Sequence, residues 1–331
     1  MHEAIEDREL IVLDGLGTRV LGTMHRPADC PAGASASHRP GVLFLNSLSL
    51  PRAASGDSAV HWAASIAAKG YPAFRIDLPG LGDSEGSSST DLLDFINAGG
   101  FTSVAASAME QLVERYGLSG TVLFGHCAGS VSAVYAAAAS KHCKGLILLD
   151  PYFHLPQAKR PKVREGLSDW ARRSAVGGLL SNIYDRARKL QLLLRGSQPP
   201  GNANNELLAR WKQLAATGVP ILLLKAPGIK AQGAKPRRGE FDYIDYVVKL
   251  AGRKSRVTAE FVESADHSFA NREGRAAVQM HIEQWLAAHF PLADAKAAQP
   301  GAASLRADED NSNAHDSNAV PADRVCALEG R

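Results

Sequence analysis

The chain has 331 residues, of which 45% are hydrophobic and 21% charged, and its net charge is +3. That length suits one large α/β domain or two ordinary ones. The charge is too small for the chain as a whole to be a nucleic-acid binder, and no apolar run approaches the roughly 18–20 residues that a bilayer crossing needs. Residues 1–7 carry acids where a signal peptide would need a basic segment and then an apolar one, so a cytoplasmic protein is expected. Four scattered cysteines, Cys30, Cys127, Cys143 and Cys326, form no CxxC pair and no Cys/His cluster. That argues against zinc and, in a reducing compartment, against disulfides.

In chain order, residues 8–27 read as an opening hairpin around Asp14-Gly15, with "RELIVL" and "TRVLGTMHRP" as its arms. The Pro/Ala/Ser stretch "HRPADCPAGASASHRP" follows as a linker or surface loop. From residue 41, apolar runs alternate with helical stretches. "GVLFLN" leads to a helix near 57–69, "YPAFRIDL" to one near 91–116 and "TVLFGH" to one at 128–141, while "GLILLD" ends at Asp150. The apolar runs are continuous, as expected of parallel strands covered by helices on both faces.

Residues 152–217 hold no clear strand and read as a helical insertion, placed to form a lid. Strand "VPILLLKAP", a helix over 242–251, strand "RVTAEFVES" and an amphipathic helix over 272–289 restore the rhythm. From Pro291 on, the Ala/Asp/Asn-rich sequence buries too little apolar surface to order itself and is predicted disordered. The division is a core of 1–151 and 218–290, a lid of 152–217 and a tail of 291–331.

Gly125-His126-Cys127-Ala128-Gly129 places a cysteine between two glycines, at the junction of a strand and a helix. A sharp strand-to-helix turn needs small flanking residues because its backbone is crowded, and it lifts the central side chain out at the top of the sheet. A thiol reacts as its thiolate and has an ordinary pKa of about 8.5, so it needs a base. His267, in "SADHSFANREG" after the last strand, is the candidate, and the amino end of the 128–141 helix adds its dipole. Cys143, by contrast, reads as packing.

These features resemble the α/β-hydrolase superfamily over residues 8–290, and "FRIDLPGLGDSEG" (74–86) is similar to its D-x-P-G-x-G-x-S segment. "GHCAGS" and "NSLSLPRAASGD" more narrowly resemble a G-x-C-[SA]-G subgroup. That subgroup is labelled serine aminopeptidase S33-like or exosortase A system-associated hydrolases, and is found in bacterial polysaccharide and natural-product gene clusters. The resemblance implies an α/β fold, a doubly wound, mostly parallel eight-stranded sheet with an inserted helical lid. It also implies a Cys-His-Asp triad with Cys127 as nucleophile and His267 as base.

The oxyanion donors implied are the backbone N–H groups of Ala128 and of Leu48 or Ser47. The family's acid usually follows the strand "ILLLKAP", yet residues 228–239 contain no carboxylate. Asp242 is the first candidate, then Glu240, then Asp150, since some members carry the acid after the preceding strand. His126 is expected to line the pocket, Asp77 and Asp83 to shape loops, and Asp266 to bond backbone.

The expected activity is acyl transfer from an ester or thioester through an acyl-Cys127, released to water or another nucleophile. That covers esterase, thioesterase and acyltransferase work, with natural-product or polysaccharide biosynthesis as the candidate setting. No metal or organic cofactor is implied. A small-molecule acyl ester or thioester is the expected partner. The arginine- and lysine-rich lid, with Arg186, Arg188 and Lys189, would receive coenzyme A or an acidic acyl-carrier protein. The rival reading is a non-catalytic binding protein of the same fold, holding an anionic partner on that lid.

Overall fold

The computed structural model describes residues 7–27, 39–155, 199, 201–227 and 241–292. The hairpin expected at 8–27 is present: β1 (Arg8–Asp14) and β2 (Arg19–His25) pair antiparallel, with Asp14 opposite Arg19. Its reversal falls on Leu16 and Gly17, both at positive φ, one step beyond Asp14-Gly15. Two such residues give the turn whose twist matches the flanking strands. Asp14 braces it by accepting the Gly17 N–H at 2.8 Å.

Strands β3 (Pro40–Phe44), β4 (Ala73–Ile76), β5 (Gly120–His126), β6 (Cys143–Leu149), β7 (Ile221–Lys225) and β8 (Val257–Phe261) complete a sheet of order β1-β2-β4-β3-β5-β6-β7-β8. The two pairings made by β2 are antiparallel and the rest are parallel. Helix α1 (Ser58–Ala68) joins β3 to β4, while α2 (Leu92–Asn97) and α3 (Thr102–Tyr116) lead to β5. Helices α4 (Ala128–Ala139), α5 (Asn205–Ala216) and α6 (Tyr243–Ala251) follow β5, β6 and β7, and α7 (Arg272–His289) follows β8. The single helix expected near 91–116 is thus two. Gly99, at φ 77°, starts the break, and a β-carbon on Gly100 would lie 2.4 Å from the Phe95 ring.

Successive side chains of the central strands serve opposite cores. Val42 and Phe44 of β3 and Val122 and Phe124 of β5 pack with Trp62, Ile66 and Ile282. Leu43 and Leu123 pack with Met109, Leu112 and Val131 on the other face. Both strands are wholly buried, which is why their sequences are unbroken apolar runs. Helix α4 is buried from Ala128 through Ala137, and its small side chains let α3, α5 and the sheet close around it.

Helix α5 lies within the stretch 152–217 that the sequence reading counts with the lid. Leu207, Leu208, Trp211 and Leu214 recur at helical spacing and are all buried. Trp211 donates its indole N–H to the Val247 carbonyl at 2.9 Å, tying α5 to α6. This helix is therefore part of the layer that covers the sheet. Where the chain leaves β6 and returns, Leu155 N–H donates to Asn202 O at 2.7 Å and Asn204 N–H to Phe153 O at 2.9 Å. The basic lid residues of 156–198, including Arg186, Arg188 and Lys189, lie outside the described residues, as does the tail from 293. Among the described residues, no helix is long and apolar enough to cross a membrane.

The chain runs from β3 to β4 on one side, then crosses over to β5 on the other. In open α/β sheets the crevice at the carboxyl ends of the strands flanking such a reversal is where ligands bind. Here those two strand ends lead directly into Asn46 and Cys127.

Candidate active site

Cys127 sits between β5 and α4 with φ 52° and ψ −116°, a backbone conformation that costs an L-residue about 1–3 kcal/mol and needs support around it. The support is specific. Cys127 N–H donates to Leu149 O at 2.9 Å, and Ser130 N–H returns to Cys127 O at 3.0 Å. The buried Ser130 hydroxyl bonds Gly125 O at 2.9 Å and approaches Leu149 O at 3.2 Å.

Both flanking glycines are required by close approach. A β-carbon on Gly125 would lie 2.4 Å from Gly129 O, and one on Gly129 would lie 2.7 Å from Asn46 O. The glycine spacing read from sequence is the imprint of α4 pressing its first turn onto the ends of β5 and β3.

His267 lies on the loop between β8 and α7, and the adjoining Asp266 shapes that loop. Its Oδ1 accepts from Ser268 N–H at 2.9 Å, Ser268 hydroxyl at 2.5 Å and Phe269 N–H at 3.1 Å, the backbone-bonding part expected for it. From the other side, His126 Nε2 meets the His267 carbonyl at 2.7 Å. A carbonyl can only accept, so His126 carries its proton on Nε2. Burial pushes the His126 pKa down to about 4, so the ring is neutral near pH 7 and serves as a fixed donor. It positions the His267 main chain, a role beyond the pocket-lining part read from sequence.

The carboxylate on His267 belongs to Asp150: His267 Nδ1 bonds Asp150 Oδ2. Asp242, placed first among the acids from sequence, is instead the N-cap of α6. Its Oδ1 accepts from Ile244 N–H at 2.9 Å and Asp245 N–H at 3.1 Å. An aspartate just ahead of a helix is well suited to that task. Glu240 lies outside the described residues.

Asp150 follows β6, the strand adjacent to β5, and is 7% exposed. Its second oxygen, Oδ1, is taken by Lys225 Nζ at the end of β7. Burial alone would raise the Asp150 pKa, but the bonds from His267 and Lys225 outweigh it and hold the carboxyl below its ordinary range.

His267 is pushed up to about 10, first by its bond to Asp150 and next by a hydrogen bond with Cys127, against the opposing effect of burial. With Nδ1 committed to Asp150, Nε2 is the nitrogen left for the thiol. Near neutral pH this ring is an imidazolium held between a carboxylate and a sulfur. Cys143 is the contrast: burial pushes its thiol up to about 12, leaving it unreactive.

Ala128 is the first residue of α4, so its N–H has no helical acceptor. Leu48 lies just past β3 with φ 52°, and among the described residues nothing accepts its N–H. The loop carrying it is laced down by Asn46. The Asn46 side-chain amide donates to Leu50 O at 2.9 Å and Asp77 Oδ1 at 2.8 Å, and its Oδ1 accepts Leu78 N–H at 2.7 Å. Arg52 adds a backbone bond to Asp77 Oδ1 at 2.6 Å and an ion pair with Asp83 at 2.6 Å. Asp77 and Asp83 thus shape loops, as expected. Asn46 does work that its sequence context hid, because a strand-end asparagine carries no mark of its partners. Among the described residues no cluster of three His, Cys, Asp or Glu side chains could hold a metal ion.

Residues 42–221 match the family model for the alpha/beta hydrolase fold, and the chain belongs to that family. No curated protein matches it. Among solved structures, DcsB in complex with its substrate analogue superposes with TM-score 0.54 at 14% identity, over 86% of this chain and all of that one. The Pyrococcus furiosus esterase Pf2001 gives 0.56 at 11% identity, over 86% of this chain and 92% of its own. The esterase domain of a Rhodothermus marinus protein gives 0.51 at 13% identity, over 86% of this chain and all of that domain. At such identities the likeness is one of fold.

Proposed function

We propose that the chain is an acyl-transfer hydrolase that cleaves ester or thioester bonds through a covalent acyl-Cys127, with His267 as base and acid and Asp150 as the orienting carboxylate. The observation that carries this reading is the bond from Asp150 Oδ2 to His267 Nδ1, on a ring that also engages a thiol held at a strained elbow. The Cys127 sulfur, paired with the protonated His267 ring, attacks the substrate carbonyl. The N–H groups of Ala128 and Leu48 receive the charge that develops on the carbonyl oxygen. Collapse breaks the bond to the leaving group, which takes the proton from Nε2 and leaves that nitrogen free. Water, deprotonated by the same nitrogen, then attacks the acyl-thioester, releasing the acid and restoring the sulfur beside the protonated ring. A thiol or amine acceptor in place of water would make the same cycle an acyltransferase.

The raised pKa of His267 favours some leaving groups over others. A ring that holds its proton up to about pH 10 is a weak general acid. Thiolates and activated alkoxides leave with little help, whereas an amide nitrogen must be protonated. Thioesters and activated esters are therefore the substrates of choice. The carrier partners suggested by the basic lid rest on residues outside those described. Intact-mass spectrometry after incubation with a panel of activated esters and acyl-thioesters tests the proposal. A mass increase of one acyl group mapping to Cys127, absent in Cys127→Ala, is expected; full turnover by Cys127→Ala would overturn it.

A further inference from the structure

The acid of this array has an unusual neighbour. The strand end where the family resemblance puts the acid is that of β7, and there the chain has Lys225 followed by Ala226 and Pro227. The β6–β7 register sets Leu149 opposite Leu224, and Asp150 N–H donates to Leu224 O at 2.7 Å. The acid and the lysine therefore emerge side by side from paired strands. Each oxygen of the buried Asp150 carboxylate has one charged partner, Lys225 on Oδ1 and His267 on Oδ2. The other ionisable groups facing the array are His126 and Asp266 next to the ring, His154, which feels the Lys225 charge, and Tyr152, which feels that of Cys127.

We propose that Lys225 is a positioning residue of the proposed triad: its ammonium fixes the Asp150 carboxylate with Oδ2 toward His267 and offsets part of the carboxylate charge, so that the imidazolium can release its proton within the cycle. Two physical points carry this. A carboxylate with one free oxygen can rotate about its Cβ–Cγ bond and present either oxygen or neither, and a second anchor removes that freedom. A full negative charge on Nδ1 would also hold the ring's proton too tightly for Nε2 to act as an acid, and a cation at the far oxygen moderates that pull. The two strand ends thus divide the task, with the acid on β6 and its counter-charge on β7.

The inference rests on the triad reading above, and the test separates the two. Lys225→Met and Lys225→Arg are compared with the wild type by acylation and hydrolysis kinetics across pH, and by NMR titration of the His267 ring. The expected result for Lys225→Met is a kcat lowered about tenfold with KM within about twofold. Its His267 ring should stay charged to a pH about one unit higher than in the wild type, and Lys225→Arg should restore both. An unchanged ring titration overturns the inference, as does a loss confined to KM or to melting temperature that arginine does not rescue. A wild type never acylated at Cys127 overturns the triad reading, and the NMR comparison still decides whether Lys225 governs His267.

Discussion

His267 holds its proton because two groups want it there. Asp150 contributes most, Cys127 next, and the midpoint moves from 6.5 to about 10. A group whose folded pKa is raised stabilises the fold fully below its unfolded value, and that contribution fades as pH rises through the folded one. His267 should therefore stabilise the protein most below about pH 6.5 and lose its effect by about pH 10. Asp150 is opposite in sign: its pKa is lowered, so its contribution is present above the ordinary carboxylate value and disappears as pH falls through the depressed one. Urea midpoints of the wild type and His267→Ala at pH 6, 8 and 9.5 should converge as pH rises. A gap that stays constant would count against the ion-pair account.

The two cysteines give a second residue-scale expectation. Iodoacetamide near neutral pH should label Cys127 stoichiometrically and spare Cys143, which is buried with its thiol pushed up to about 12. Peptide mapping showing equal labelling would contradict the assignment.

At the scale of elements, the elbow depends on α4 reaching β3. Gly129→Ala would drive a methyl to 2.7 Å from the Asn46 carbonyl, and overpacking of this kind costs about 1–3 kcal/mol. Because Asn46 also anchors the Leu48 loop, that change should lower the acylation rate of the folded enzyme as well as its stability. Trp211→Ala is the complementary case. It removes a fully buried ring from α5, at a cost of about 3–5 kcal/mol. Acylation by the molecules that stay folded should match the wild type, since Trp211 bonds α6 and not the site. Chemical denaturation paired with single-turnover kinetics separates the two behaviours.

At the scale of the whole molecule, what was legible in the sequence is what packing writes there. Unbroken apolar runs marked strands buried on both faces, and Gly125 and Gly129 marked a turn with no room for a β-carbon. The place of His267 after the last strand was legible. Its carboxylate partner was not, because Asp242 and Asp150 look alike in sequence. One serves a helix start and the other serves a histidine far along the chain, a difference set by strand order and by the lysine on the neighbouring strand. Asn46, His126 and Ser130 were illegible for a related reason: each acts by bonding main chain brought near only by the fold.

The measurement that bears most directly on the account is the rate at which Cys127 acquires an acyl group in Asp150→Asn beside Asp242→Asn, followed by intact mass in single-turnover conditions. The account predicts a loss of about 10²–10⁴-fold for Asp150→Asn, in line with removal of an orienting aspartate. Asp242→Asn should retain the wild-type rate, since asparagine caps a helix about as well. A wild-type rate in Asp150→Asn, or a comparable loss in Asp242→Asn, would contradict it.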